Sequence, residues 1–270
     1  MTTRFDHPAN TWIDGRTGRQ HSADHVTTVC TDLNIILLGE THDRADHHHW
    51  QLDISQKLLN QHRKIALGFE MFPKQLQSIL DQWTAGAYTD EQFLKKTEWD
   101  KIWGFDPSLY MPLFQFCKHH QIPMIALNCD RQLVRDIGKL GWDGVENSRL
   151  EELIPAKPAT AEYRQYLFDV TGGPRPDRKA KNAEDPAFDR FVRAQQVWDR
   201  AFACNLSNYY EKHPDTLLIG IIGSGHLEFG GGTPYQLDDL GLNKHSVLLP
   251  SDEPEIPEGI ADFIYRLPTR

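Results

Sequence analysis

The sequence predicts a three-layer α/β/α fold on a mainly parallel central sheet, and three observations carry that prediction. Short apolar runs alternate with amphipathic helical text along most of the chain. The runs at 34–38 and 216–222 are uninterrupted and rich in β-branched residues, as in strands covered on both faces. Several runs then end abruptly in glycine or in ionisable side chains. Such alternation favours parallel βαβ units with right-handed crossovers.

Taken in order, TWIDGRTGRQ reads as a short hairpin around Gly15 to Gly18, followed by a weakly patterned stretch into the first core strand at 34–38. Residues 47–60 are helical, with Leu52, Leu58 and Leu59 among the apolar positions, and KIALGFE at 64–70 is a second strand ending in a carboxylate. Helical text runs from Pro73 to Trp83 and continues at 89–96 and 107–119, with Asp90 and Asp106 as caps. PMIAL at 123–127 is a third strand, and Asp130 caps a helix at 131–140 that Gly141 stops. The weaker text at about 141–185 reads as a helical and loop insertion with a helix at 160–170. A long amphipathic helix at 186–211 leads into TLLIGII at 216–222, and 246–249 and 263–267 are the last strands. No internal repeat or low-complexity segment occurs.

A chain of 270 residues with 39% hydrophobic content can bury a full core, and 1–270 reads as one domain. The formal charge of -9 and a pI near 5.8 argue against a nucleic-acid or anionic membrane partner. Arg175, Arg178, Lys179 and Lys181 form one local basic patch. No apolar run approaches the roughly 20 residues of a membrane span. The start MTTRFDHPAN has neither a basic nor an apolar signal region, so the expected location is cytoplasmic. Cys30, Cys117, Cys129 and Cys204 show no C-x-x-C spacing and read as free buried thiols in a reducing compartment.

The chemistry concentrates where the strands end. After Gly39 come Glu40, His42, Asp43, Asp46, His47, His48 and His49; Glu70 closes the second strand, and His226 follows Gly223, Ser224 and Gly225. If those strands are parallel neighbours, their carboxyl ends share a rim, and two carboxylates and two imidazoles face one cleft. A strand-end glutamate or a single histidine is weak by itself, being more often a cap or a satisfied polar group. The repetition at strand ends is what points to a site. A helix cannot turn His47, His48 and His49 to one place, so one or two of them face solvent.

The blocks GETHDRADHHHWQ at 39–51, GFEMF at 68–72, AQQVWDRAFA at 194–203 and GSGH at 223–226 resemble, in order, those of the ChaN-like haem-binding proteins of the erythromycin esterase, ChaN and TIKI superfamily. The resemblance spans nearly the whole chain. It implies an α/β/α fold with a polar cleft at Glu40, His42, Glu70 and His226, and with His47 and His48 at the start of the next helix. In the ChaN-like branch it implies haem bound at a dimer interface through tyrosine and histidine, and hence a homodimer. His47, His48 and Tyr235 are the candidate cofactor-binding residues, with Tyr163, Tyr166, Tyr209 and Tyr210 as other candidate tyrosines. ChaN-like haem proteins are often exported lipoproteins, whereas this chain shows no signal and no lipobox cysteine. In the esterase and TIKI branches the similar cleft hydrolyses a substrate.

Two chemistries therefore stay open. Haem needs an axial ligand and an apolar surface, for which Trp83, Trp99, Trp103 and Phe105 are candidates, although core packing suits them equally. A hydrolase would use Glu40, His42, Glu70 and His226 on an ester or amide, either as ligands of a divalent metal ion or with Glu70 or His42 as general base. H-E-x-x-H, G-x-S-x-G, G-x-G-x-x-G and a Walker lysine are all missing. The charged neighbours Asp199 and Arg200 read first as a buried salt bridge and second as support for a cleft histidine.

Overall fold

The computed structural model describes residues 2–4, 7–61, 64–174 and 179–269; Arg175 and Arg178 of the basic patch lie outside them. The chain opens with strand β1 (Thr2–Arg4), the hairpin of β2 (Trp12–Asp14) and β3 (Gln20–His21), and helix α1 (Ala23–Thr31). Next come β4 (Ile35–Glu40), α2 (Ala45–Gln61), β5 (Ile65–Pro73), α3 (Gln77–Thr84), α4 (Asp90–Thr97), α5 (Trp99–Ile102), α6 (Met111–His120), β6 (Met124–Asn128) and α7 (Arg131–Leu140). Helix α8 (Ala161–Val170) lies within 141–185. The chain closes with α9 (Asp189–Lys212), β7 (Leu217–Gly223), α10 (Thr233–Asp239), β8 (His245–Ser251), β9 (Glu255–Pro257) and β10 (Phe263–Arg266).

Eight strands form one sheet in the order β3-β2-β10-β8-β4-β7-β5-β6. Every pair from β10 to β6 is parallel, and only the β2 and β3 edge runs antiparallel. Successive side chains of a strand point to opposite faces, so an uninterrupted apolar strand feeds two cores. Ile36 and Leu38 of β4 join Trp50, Ile54, Phe69 and Phe114 on one face. Ile35 and Leu37 join Phe202, Leu206 and Leu218 on the other. Helices α2, α3 and α6 cover the first face, and α9 and α10 cover the second, which completes three layers.

Several boundaries differ from expectation for identifiable reasons. The weakly patterned stretch before β4 contains α1, whose buried apolar residues are only Val26 and Cys30, one turn apart; its Ser22 cap accepts from the His25 amide. Thr89, rather than Asp90, caps α4 in a reciprocal box with Gln92. Asp130 caps α7 as expected, accepting from the Gln132 and Leu133 amides. All four cysteines are buried and free. Among the described residues, no helix is long and apolar enough to cross a membrane.

Candidate functional site

Strand β7 lies between β4 and β5 and runs parallel to both, so their carboxyl ends form one rim, with Glu40 in register with Gly223. The glycines here provide space rather than turns. A Cβ on Gly223 would sit 2.8 Å from His42 Cε1 and 3.3 Å from Glu70 Oε2, and one on Gly39 would overlap Leu249. His42, Glu70 and His226 line a cavity of about 320 Å³ together with Trp103, Phe105, Asn128, Arg131, Gln195 and Trp198. The expected convergence is thus present for three of the four residues, although Glu70 lies within β5, which runs on to Pro73, rather than at its end. Glu40 sits behind His42, 2% exposed, and does not line the cavity.

Glu40 serves two imidazoles. His42 Nδ1 donates to Oε1 at 2.7 Å, and His48 Nδ1 lies 2.9 Å from Oε2. The state of His48 follows from its neighbours. Gln51 gives its amide protons to the Leu38 and Gly39 carbonyls, so its Oε1 faces His48 Nδ1 at 3.2 Å, while His48 Nε2 donates to the His42 carbonyl. Both ring nitrogens therefore face acceptors, and an imidazolium satisfies both. Burial pushes the Glu40 pKa up, but the hydrogen bond from His42 and the His48 imidazole 2.9 Å from Oε2 outweigh it and hold it low. Burial lowers the pKa of each histidine, and Glu40 reverses that shift for both. Tyr110 Oη closes the group, 3.2 Å from Glu40 Oε1 and 3.1 Å from the His42 carbonyl.

His226 has Asp199 on one ring nitrogen and Glu70 near the other. Its Nδ1 donates to Asp199 Oδ1 at 2.8 Å; Tyr163 donates to Oδ2 at 2.6 Å and Thr233 to Oδ1 at 3.2 Å. Asp199 is fully buried. Glu70 lies 3.8 Å from His226 Nε2 and is itself held by the Gly223 amide at 2.5 Å. Burial opposes protonation of His226, yet the Asp199 carboxylate, with Glu70 behind it, lifts its pKa to about 9. Asp199 does not pair with Arg200, which bonds Asp239 at 2.8 Å and the Ile154 carbonyl. Each reading holds for one member of the pair: Arg200 makes a buried salt bridge, and Asp199 supports the cleft histidine. The available signal was spacing: Asp199 falls on the buried stripe of α9 with Val192, Gln196 and Ala203.

The other expected residues disperse. His47 turns away from the cleft: its Nδ1 accepts from the Thr41 amide at 3.0 Å, and burial, with Arg44 nearby, lowers its pKa to about 4. His48 is buried behind Glu40, and His49 faces solvent. Tyr235 lies under the Lys157 ammonium, outside the cleft lining. Tyr163 supports Asp199, and Tyr166 donates to Glu228 at 2.8 Å. Of the four aromatics considered for an apolar wall, Trp83 and Trp99 are core, while Trp103 and Phe105 line the cleft. Among the described residues, no group of three or more His, Cys, Asp or Glu is placed to hold a metal ion. The expected four-ligand set is divided, because Glu40 is committed to His42 and His48.

A family model described as haem-binding uptake, Tiki superfamily, ChaN matches residues 27–237, which contain every residue of this cleft. The chain belongs to the ChaN family. Among solved structures it is similar to ChaN of Campylobacter jejuni, described with cofacial haem binding, at a TM-score of 0.72 and 22% identity over 94% of this chain and 95% of that one. It also shares its fold with the type III effector HopBA1 (TM-score 0.52, 11% identity, 92% and 93% covered) and with a mutant of the erythromycin esterase EreC in its open conformation (0.51, 12%, 89% and 76%). No curated protein sequence matches the chain.

Proposed function

We propose that the cleft binds haem or a related iron tetrapyrrole, with His42 as the axial ligand. The observation that carries this reading is the cavity lining: two acid-backed imidazoles beside Trp103, Phe105 and Trp198, with Arg131 also in the lining. Rings suit a porphyrin face, and a guanidinium suits a propionate. His42 Nδ1 is committed to Glu40, which orients the ring and leaves Nε2 for iron, as carboxylates do for metal-bound histidines. His226 keeps its proton near neutral pH and is the less suitable ligand. Bound haem would supply a redox-active iron whose properties the axial ligand and the burial of the ring set.

The cavity of about 320 Å³ is at the small end for even a drug-sized ligand, about 300–1,000 Å³, so it covers one face of a tetrapyrrole. A homodimer, with a second copy over the other face, completes the reading. The test is a haemin titration followed by absorbance, with sedimentation of the complex. A saturable Soret shift, lost in His42→Ala, only weakened in His226→Ala and accompanied by dimer formation, is the expected result. A shift indifferent to His42→Ala overturns the assignment.

A second reading is supported by the same acid-backed histidines: metal-free hydrolysis of an ester or amide. His42 would activate water as a general base, and protonated His226 would stabilise developing negative charge, with Glu70 between them. Turnover of an ester panel by chelator-treated protein, lost in both His42→Ala and Glu70→Gln, would favour this reading over haem binding.

A further inference from the structure

His47 lines a second cavity, of about 220 Å³, formed by Thr41 and Arg44 after β4 and by residues of β8, β9 and β10. Ser224 and Glu228, which flank His226 in the turn after β7, also line it, but the cavity shares no lining residue with the cleft. Because Nδ1 accepts from the Thr41 amide, the imidazole proton sits on Nε2. That N–H is buried in a residue only 5% exposed, and it meets no acceptor. Buried donors are nearly always paired, and one left over beside a cavity marks a place for an acceptor brought by something else.

The rest of the lining says what that something carries. Leu249, Ile256 and Ile264 make an apolar wall. Arg44 is the only Arg or Lys in the lining, and Asp46 and Asp252 already hold it at 2.6 and 3.1 Å. Glu255, also in the lining, is exposed and has no ion-pair partner among the described residues. The cavity thus presents one buried donor, an apolar side and a surplus of negative charge at its mouth.

We propose that this cavity is a second ligand site, for a small aliphatic amine bearing a carbonyl or hydroxyl oxygen. The oxygen accepts from His47 Nε2–H, the carbon chain lies on the apolar wall, and the ammonium group meets Glu255. The site stands independently of what the first cleft binds.

The test uses 6-aminohexanamide and its shorter homologues, followed by amide and imidazole shifts of the ¹⁵N-labelled full chain, with hexanamide as the uncharged control. Saturable shifts at Thr41, Ser251 and the His47 Nε2–H are expected, with hexanamide binding about tenfold more weakly. His47→Asn places an oxygen near the Nδ1 position, so it keeps an acceptor for the Thr41 amide while removing the Nε2–H donor; affinity should fall about tenfold. If that variant does not fold, Glu255→Lys, at an exposed position, provides the same check and should abolish binding of the amine. Absence of saturable shifts for all homologues up to about 10 mM would mean that the cavity holds only solvent, and would overturn the proposal. Binding that is unchanged in a folded His47→Asn variant, or in Glu255→Lys, would also overturn it.

Discussion

The two histidines at the rim of the cleft are built alike and behave differently. Each gives its Nδ1 proton to a buried carboxylate, Glu40 behind His42 and Asp199 behind His226, at 2.7 and 2.8 Å. Glu40, however, divides its charge between two imidazoles, His42 and His48, whereas Asp199 receives only neutral hydroxyl donors besides His226. A shared counter-ion stabilises each cation less than an undivided one. Glu40 raises the pKa of His42 in spite of burial, and Asp199 carries that of His226 to about 9. The identity of the acid matters less than what else it serves.

The sharpest way to break this comparison is Glu40→Gln, which leaves His48 as a buried cation without its carboxylate. Loss of one partner of a buried pair costs about 3–5 kcal/mol, and the denaturation midpoint should fall accordingly. A cost below about 1 kcal/mol would mean that His48 is neutral and that Glu40 is not divided. Asp199→Asn tests the other half. In an NMR titration, the His226 pKa should drop from about 9 to the usual histidine range or below it, while His42 holds its position. A shift of both histidines would show that the two halves are one coupled unit.

The same contrast has a pH signature. The His226 pKa is raised from 6.5 to about 9, so the folded state retains a proton that the unfolded chain sheds between those values. Its contribution is complete below about pH 6.5 and is lost as pH rises to about 9, on the order of 3 kcal/mol in all. Stability measured from pH 6 to 9.5 should decline in the native chain and decline less in Asp199→Asn, where only His42 and His48, whose pKa values Glu40 raises, still contribute to the slope. The smallest effects belong to the supporting phenols. Tyr163→Phe should cost about 1–2 kcal/mol and leave the His226 pKa unchanged or slightly higher, because Asp199 loses a donor that shares its charge but keeps Thr233 and His226. Tyr110→Phe should cost about 1 kcal/mol and leave His226 unchanged, since Tyr110 contacts only the Glu40 half.

How much of this was readable beforehand varied with the range of the interaction. Helix α7 was legible end to end, because Asp130 and Gly141 are local signals that act on the nearest turn of backbone. Helix α1 was not, because its polar text is held by packing of Val26 and Cys30 against the sheet rather than by periodicity. The strand exits at Glu40 and just before His226 were legible because an apolar run must stop where it leaves the core; Glu70 was not an end, because β5 continues through buried Met71 and Phe72 to Pro73. Their partners were less so. Asp199 is 27 residues from His226 and Tyr110 is 70 from Glu40, and nothing in either segment names the other.

Sequence alone was enough for the three-layer architecture, the rim where chemistry gathers and the residue types found there, since burial on two faces and chain exit at strand ends are imposed by local pattern. The order β4-β7-β5 brought those ends together, and the third dimension then set the role of each group. It drew Glu40 behind His42, sent His47 to another cavity, and supplied Asp199 to His226. Protonation depends on which charges and hydrogen bonds lie within a few ångströms and on how many neighbours share them, and only the packed structure specifies those distances.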